Sequence, residues 1–410
     1  MPDVEFVNLL IVAAIAVTAP LLLGLAPRLR VPAVVLEIVA GIVVGPSGLG
    51  WVEIDLPVQI VALLGLAFLL FLAGLEFDPR RLRGPTTWLA LLGYAISIAV
   101  GLGIGLGFGA AGWVRSPLLL AVALSATSLG LVVAVLKDTG HLGTAAGQST
   151  ITAASVADFA AIVLLSLAFS TTGGTVTGRV GSLLVFAGLV VVTGVVIVFA
   201  GRSRRLGDVL ARLQDTTAEI RVRAAVLLLV AFVALAEKFG LETILGAFLA
   251  GVVVSVVDRD TSSHPRFRIK LEAVGYGFLI PVFFVSSGVR LDLGGLLADP
   301  AAFARVPLFL LALLLARGVP ALVFARTLQR REVAAVALLQ ATSLPFIVTA
   351  TQIGVVLGAM SSVTAAALVC AGLLSVLLFP AGAVGLLSTG DGDRTSEGAP
   401  QRAGPAAVRD

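Results

Sequence analysis

Two charges in this chain stand where charge is expensive. Asp158 lies between Ala157 and Phe159 in a long apolar stretch, and Arg317 lies in Leu313-Leu314-Leu315-Ala316-Arg317-Gly318. Ionisable groups deep in such stretches are rare, face a cavity or a partner, and mark ion or proton routes. A lone carboxylate there can hold a proton or a partly dehydrated monovalent cation, but not both well. That competition is enough to couple two gradients. The other reading of the pair is a buried salt bridge holding two parts of the molecule together. A third feature is a string written twice, Ala126-Thr127-Ser128-Leu129 and Ala341-Thr342-Ser343-Leu344. Ser125, Thr127 and Ser128 lead into Gly130, and Thr342 and Ser343 lead into Pro345. Glycine and proline interrupt helices, and hydroxyls can satisfy the backbone groups this frees. Interrupted helices at matching places in two halves of a chain point to a transporter site; ordinary small-residue helix packing is the alternative.

The elements that must position these residues are membrane spans. Of the 410 residues 58% are hydrophobic and 13% charged, against about 25% charged in a soluble protein. The solvent for so much apolar surface is lipid. The net charge of +4 comes from short loops and not from a patch, which argues against nucleic acid. Cys370 is the single cysteine and His141 and His264 are the two histidines, so neither an internal disulfide nor a metal-ligand cluster is expected. No nucleotide, cofactor or nucleophile motif is present, and an enzyme is not indicated. Asp3 and Glu5 stand where a cleavable signal would be basic.

Thirteen stretches are apolar enough to span: 4–26, 31–49, 56–75, 87–108, 117–136, 144–169, 182–199, 222–236, 241–257, 274–289, 303–324, 333–357 and 363–387. Loops after odd-numbered spans carry Arg28, Arg30, Arg80, Arg81, Arg83, Lys137, Arg202, Arg204, Arg205, Arg212, Arg259, Arg268, Lys270 and Arg330. The opposite side has Arg115, Arg179, Lys238, Arg290 and Arg305. Basic residues concentrate on the cytoplasmic side. A multi-pass cell-membrane protein follows, with its N-terminus outside and its C-terminus inside.

The two strings are 215 residues apart. Phe71 to Asp78 matches Val285 to Asp292 with Gly74 on Gly288, an offset of 214, and Gly41 matches Gly251 at 210. The matched spans are seven apart, an odd number, so the two halves must run in opposite directions through the membrane. The expected fold is an all-α membrane protein of two inverted six-helix repeats with crossed discontinuous helices. Its expected parts are a first repeat at 1–172, a linker helix and cytoplasmic loop at 173–217, a second repeat at 218–388 and a disordered tail at 389–410. Glu37 reads as structural, and Glu76 and Asp78 as residues closing the third span at the cytoplasmic surface.

These residues carry a resemblance. The segments Val31-Pro32 to Gly48, Phe71 to Asp78, Ala123 to Asp138, Gly246 to Gly251 and Pro281 to Gly288 resemble, in order, the cation:proton antiporter-2 family of sodium/hydrogen exchangers, including the membrane half of Kef potassium-efflux systems. The resemblance implies a core of crossed broken helices moving against a dimerisation domain, in a homodimer. It implies cation and proton binding at Asp158 with Thr127 beside it, and places the family's basic residue at Arg317. Exchange of Na+ or K+ for protons is the implied activity, with no cofactor. The Kef likeness allows the alternative of a potassium efflux channel gated by a separate cytoplasmic regulatory subunit. Position 157 departs from the family, which commonly has Asp, Asn or Gln there. Alanine leaves one carboxylate at the crossing, and one carboxylate used in competition implies an electroneutral one-for-one cycle.

Overall fold

The computed structural model describes residues 5–25, 31–77, 84–169, 176–201, 219–257 and 265–397. Among these, every regular element is a helix. Arg28, Arg30, Asp78, Arg80, Arg81, Arg83, Arg202, Arg204, Arg205, Arg212, Arg259 and His264 lie outside the described residues, as do residues 398–410. The helices are α1 (Val7–Leu25), α2 (Ala33–Val44), α3 (Leu56–Glu76), α4 (Pro85–Ala110), α5 (Pro117–Ser125), α6 (Leu129–Asp138), α7 (Ala145–Ala168), α8 (Val176–Gly201), α9 (Ile220–Lys238) and α10 (Thr243–Val257). They continue with α11 (Pro265–Val274), a π-helical turn at Gly275–Leu279, α12 (Ile280–Val289), α13 (Leu293–Ala298), α14 (Pro300–Phe303) and α15 (Arg305–Gly318). A 3₁₀ turn at Val319–Phe324 leads to α16 (Arg330–Gln340), α17 (Pro345–Val356) and α18 (Ser362–Glu397).

Local chemistry explains the boundaries. Asp55, Ser116, Thr144 and Asp292 each accept a hydrogen bond from a backbone amide in the first turn of the helix that follows, satisfying a donor that no earlier carbonyl can reach. Helices α6 and α17 both end on a glycine in the left-handed region, Gly140 at φ 75° and Gly358 at φ 66°, where a side chain would be strained.

The helices gather into two bundles. In one, α2 packs on α12 and α3 packs on α10, with α1 and α9 alongside. Both contacts are glycine crossings. A Cβ on Gly41 would strike the carbonyl of Val285, and one on Gly288 the carbonyl of Ile38. A Cβ on Gly74 would strike the carbonyl of Phe248, and one on Gly251 that of Phe71. The four glycines are the two pairs matched by the internal repeat. Helices from opposite halves therefore meet twice in the same way, at the close approach that small residues permit between membrane helices. The second bundle holds α4, α5, α6, α7, α15, α16, α17 and α18, and it contains both interrupted helices.

Among the described residues, nine helices are long and apolar enough to cross a membrane, or ten if the bent pair α16 and α17 counts as one span. That is fewer than the thirteen expected. Helices α2 and α10 have 12 and 15 residues, short of the roughly 20 that a lipid-facing span requires, and α9 carries charged residues near both ends. Both short helices are largely covered by protein. The last helix also departs from expectation. It runs to Glu397, nine residues into the segment read as a disordered tail, because each residue added to a formed helix gains a hydrogen bond and no proline intervenes before Pro400.

Gly74→Ala places its methyl against a backbone carbonyl, which unlike a side chain has no rotamer to escape into. Overpacking of this kind costs about 1–3 kcal/mol, so thermal unfolding of the purified variant should shift downward. Gly103→Ala, where a Cβ meets nothing within 4 Å, should leave it unchanged. Equal behaviour of the two variants would show that the crossing relaxes freely.

Candidate functional site

Residues 126–128 separate α5 from α6, and residues 341–344 separate α16 from α17, which bend by 42° at that break. The two unwound stretches touch. The Ser128 amide donates to the Thr342 carbonyl at 2.9 Å, a bond between repeat-related strings. Pro345 opens α17, where its missing N–H costs nothing. Four half-helix ends thus converge, two N-terminal and two C-terminal, bringing partial charges of both signs together.

Asp158 sits mid-way along α7 with its carboxylate facing the backbone amides of Thr127 and Leu129. The Leu129 amide opens α6 and the Thr127 amide lies in the break before it, so neither has an intrahelical partner. The charges that act on Asp158 are those of Arg317 and Glu76. Arg317 is 1% exposed. Its Nε donates to Thr127 Oγ1 at 2.9 Å and, less directly, to the Gln340 carbonyl at 3.4 Å. Thr127 Oγ1 in turn donates to the same Gln340 carbonyl at 2.7 Å. No ion pair within 4.0 Å joins Asp158 to Arg317 among the described residues. The guanidinium bridges the two halves of the crossing, through the Thr127 hydroxyl of the first and the Gln340 carbonyl of the second.

The predicted residues therefore meet at one point with different tasks. The Thr127 amide faces Asp158, while its hydroxyl ties the crossing to Arg317. Ser125 is buried and shares a 3.1 Å hydrogen bond with Tyr94. Thr342 bonds back to the Leu338 carbonyl at 3.1 Å. Ser375 Oγ lies 3.3 Å from the Ser343 amide and 3.1 Å from its carbonyl. Arg317 Nη2, Gln340 Nε2 and Ser343 Oγ are buried without a hydrogen-bond partner among the described residues. Glu37 is buried on α2, which packs on α1 and α12.

Sequence reasoning missed Gln340, Tyr94 and the reach of Glu76. Gln340 has a signal: at the 215-residue offset it matches Ser125, directly before the repeated string. Tyr94 is one of two tyrosines in the chain, and nothing local marks it. Glu76 ends α3 as expected, but its carboxylate lies against Gly130 in the first turn of α6. It borders the crossing as well as the surface.

A multi-pass helical protein with two interrupted helices crossing beside a mid-helix carboxylate has the architecture of a secondary transporter. A sodium/hydrogen exchanger transmembrane family model matches residues 13–388. YjbQ of Bacillus subtilis (strain 168) is 33% identical over 395 residues, which is 93% of this chain and 63% of that protein. The chain thus spans less than two thirds of the length of YjbQ. A Na(+)/H(+) antiporter of Enterococcus hirae is 29% identical over 294 residues, 70% of this chain and 74% of the relative. The solved sodium proton antiporter MjNhaP1 from Methanocaldococcus jannaschii shares the fold, with a TM-score of 0.62 at 16% identity over 92% of this chain and 97% of that one. The chain belongs to the sodium/hydrogen exchanger family, whose members matched here are transporters and not enzymes.

Hydrogen bonds to a charged group contribute about 1.5–3 kcal/mol. Arg317→Ala and Thr127→Val should each lower thermal stability, and the double variant should lose less than the sum of the two. Strict additivity in that cycle would mean that the 2.9 Å bond does not hold the crossing together.

Proposed function

We propose that this protein exchanges a monovalent cation, Na+ or K+, for protons across the cell membrane, by alternating access at Asp158. The observation that carries this reading is the Asp158 carboxylate facing the free amides of Thr127 and Leu129 at the crossing of two broken helices. Those amides favour the anion, and apolar surroundings favour the proton or a bound cation that neutralises it. Asp158 releases one to take the other. Thr127 Oγ1 donates to Gln340 and accepts from Arg317, which leaves one lone pair for a cation. The unpartnered Ser343 hydroxyl offers a second oxygen. Arg317 supplies a fixed positive charge that keeps the emptied site from trapping its cation.

The chain divides on this reading into repeats at 1–172 and 218–388. The crossing bundle rocks against the glycine-crossed bundle, which pairs with a second copy in a homodimer. The N-terminus lies outside and the C-terminus in the cytoplasm. Sidedness has internal support: Glu76, Arg268, Glu272, Glu219 and Lys270 meet at one end of the molecule, all from the expected cytoplasmic side. Asn8 with Asp55, and Asp292 with Ser362, meet at the other.

Proton efflux from reconstituted vesicles on addition of Na+, K+ and Li+ in turn tests the activity. Asp158→Asn should remove cation-dependent proton flux while the protein still inserts and folds, and near-normal exchange by that variant would sink the mechanism. Potassium flux without proton movement would instead assign a channel.

Ala157 cannot bind a proton or an ion, so one carboxylate serves each cycle and no net charge moves. A cation jump on vesicles adsorbed to a capacitive sensor should therefore move protons without a transient current. An electrogenic cycle would gain about 2.3 kcal/mol per net charge from 100 mV, and its current would reveal a second titrating group.

A further inference from the structure

Helix α11 carries Arg266, Arg268, Lys270 and Glu272 within ten residues. It lies at the end of the molecule where α3 ends and α9 begins, and the π-helical turn at Gly275–Leu279 joins it to α12. Single π turns cluster at functional sites. Among the described residues, two ion pairs tie α11 to other helices. Lys270 Nζ is 2.8 Å from Glu219 Oε1, tying it to the start of α9. Arg268 divides itself between two carboxylates, with Nε 2.8 Å from Glu272 Oε1 and Nη2 3.8 Å from Glu76 Oε1. The second contact matters because of where Glu76 sits. Its carboxylate lies beside Gly130 in the first turn of α6, and the Leu129 amide that opens the same turn faces Asp158. Glu76 and Asp158 therefore border one turn of helix, and Glu76 is the one nearer the surface.

We propose that Arg268 is a tethered counter-cation at the inner mouth of the site, which a cation arriving from the cytoplasm must displace from Glu76 before it reaches Asp158. The pair suits the task. Its side chains are 46% and 28% exposed, and exposed ion pairs are weak enough to exchange. Glu272 holds the closer contact with Arg268 and gives it a place to retire to. The guanidinium thus moves between a carboxylate on α3 and one on its own helix, and the cation it yields to takes over its charge at Glu76. A resident cation of this kind lowers the apparent affinity of one face only.

This inference rests on the proposed exchange at Asp158, and the test separates the two. Half-saturating Na+ is measured with the ion added to the cytoplasmic face in everted vesicles and to the outer face in right-side-out vesicles. Arg268→Ala should lower the cytoplasmic value by about two- to fivefold, the range set by an exposed ion pair, and leave the outer value unchanged. Arg268→Lys should stay near the parent, and Arg266→Ala, a neighbouring exposed arginine, should have no effect. Glu272→Gln frees Arg268 to settle on Glu76 and should raise the cytoplasmic value, the opposite sign. An unchanged cytoplasmic value in Arg268→Ala, an equal fall at both faces, or a fall in Glu272→Gln would each overturn the proposal. Exchange that survives Asp158→Asn with the Arg268 effect intact would overturn the site reading instead.

Discussion

A helix broken inside a bilayer exposes backbone donors and acceptors that hydrocarbon cannot satisfy, at several kcal/mol for each one left bare. Most of what is unusual in this molecule answers that constraint. The Ser128 amide finds the Thr342 carbonyl, and the amides of Thr127 and Leu129 face a carboxylate. The Gln340 carbonyl takes the Thr127 hydroxyl and the edge of a guanidinium. Each half of the crossing completes the other, so neither break is stable alone. The same groups that remove the penalty are the ones on which the proposed exchange depends.

Arg317 shows how far the constraint reaches. Burying a guanidinium costs several kcal/mol even after relaxation, and it is not offset here by direct contact with a carboxylate. It is held by a hydroxyl and by the carbonyl of a broken helix, whose C-terminal end carries partial negative charge. This arrangement leaves Asp158 without a locked partner. A tight Asp158–Arg317 salt bridge would have stabilised the crossing and filled the site at once.

The other bundle solves a different problem. Helices facing lipid gain little from apolar burial against one another, so close packing must hold them. Gly41 against α12 and Gly74 against α10 bring backbones within reach, with the mirror contacts made by Gly288 and Gly251. Contacts this close have little freedom to slide. One bundle is thus held by backbone contact and the other is built around two helix breaks.

Much of this was legible in the letters. Composition alone determines a membrane protein, because no water-soluble core could absorb so much apolar surface. The strings at 126–129 and 341–344 revealed two broken helices, since glycine, proline and clustered hydroxyls mark interruption wherever they occur. Asp158 and Arg317 stood out because charge is costly in lipid. Matching glycines announced the inverted halves, though not that Gly41 meets the helix of Gly288. What only the tertiary structure decided is which groups face one another. Side-chain direction at a break depends on the crossing partner, so Thr127 could not be seen turning its hydroxyl to Gln340 and Arg317 while its amide faces Asp158. Glu76 read as a surface residue because its own helix ends there. That it borders the site follows from α6, more than fifty residues away in sequence, and sequence spacing carries no information about such an approach.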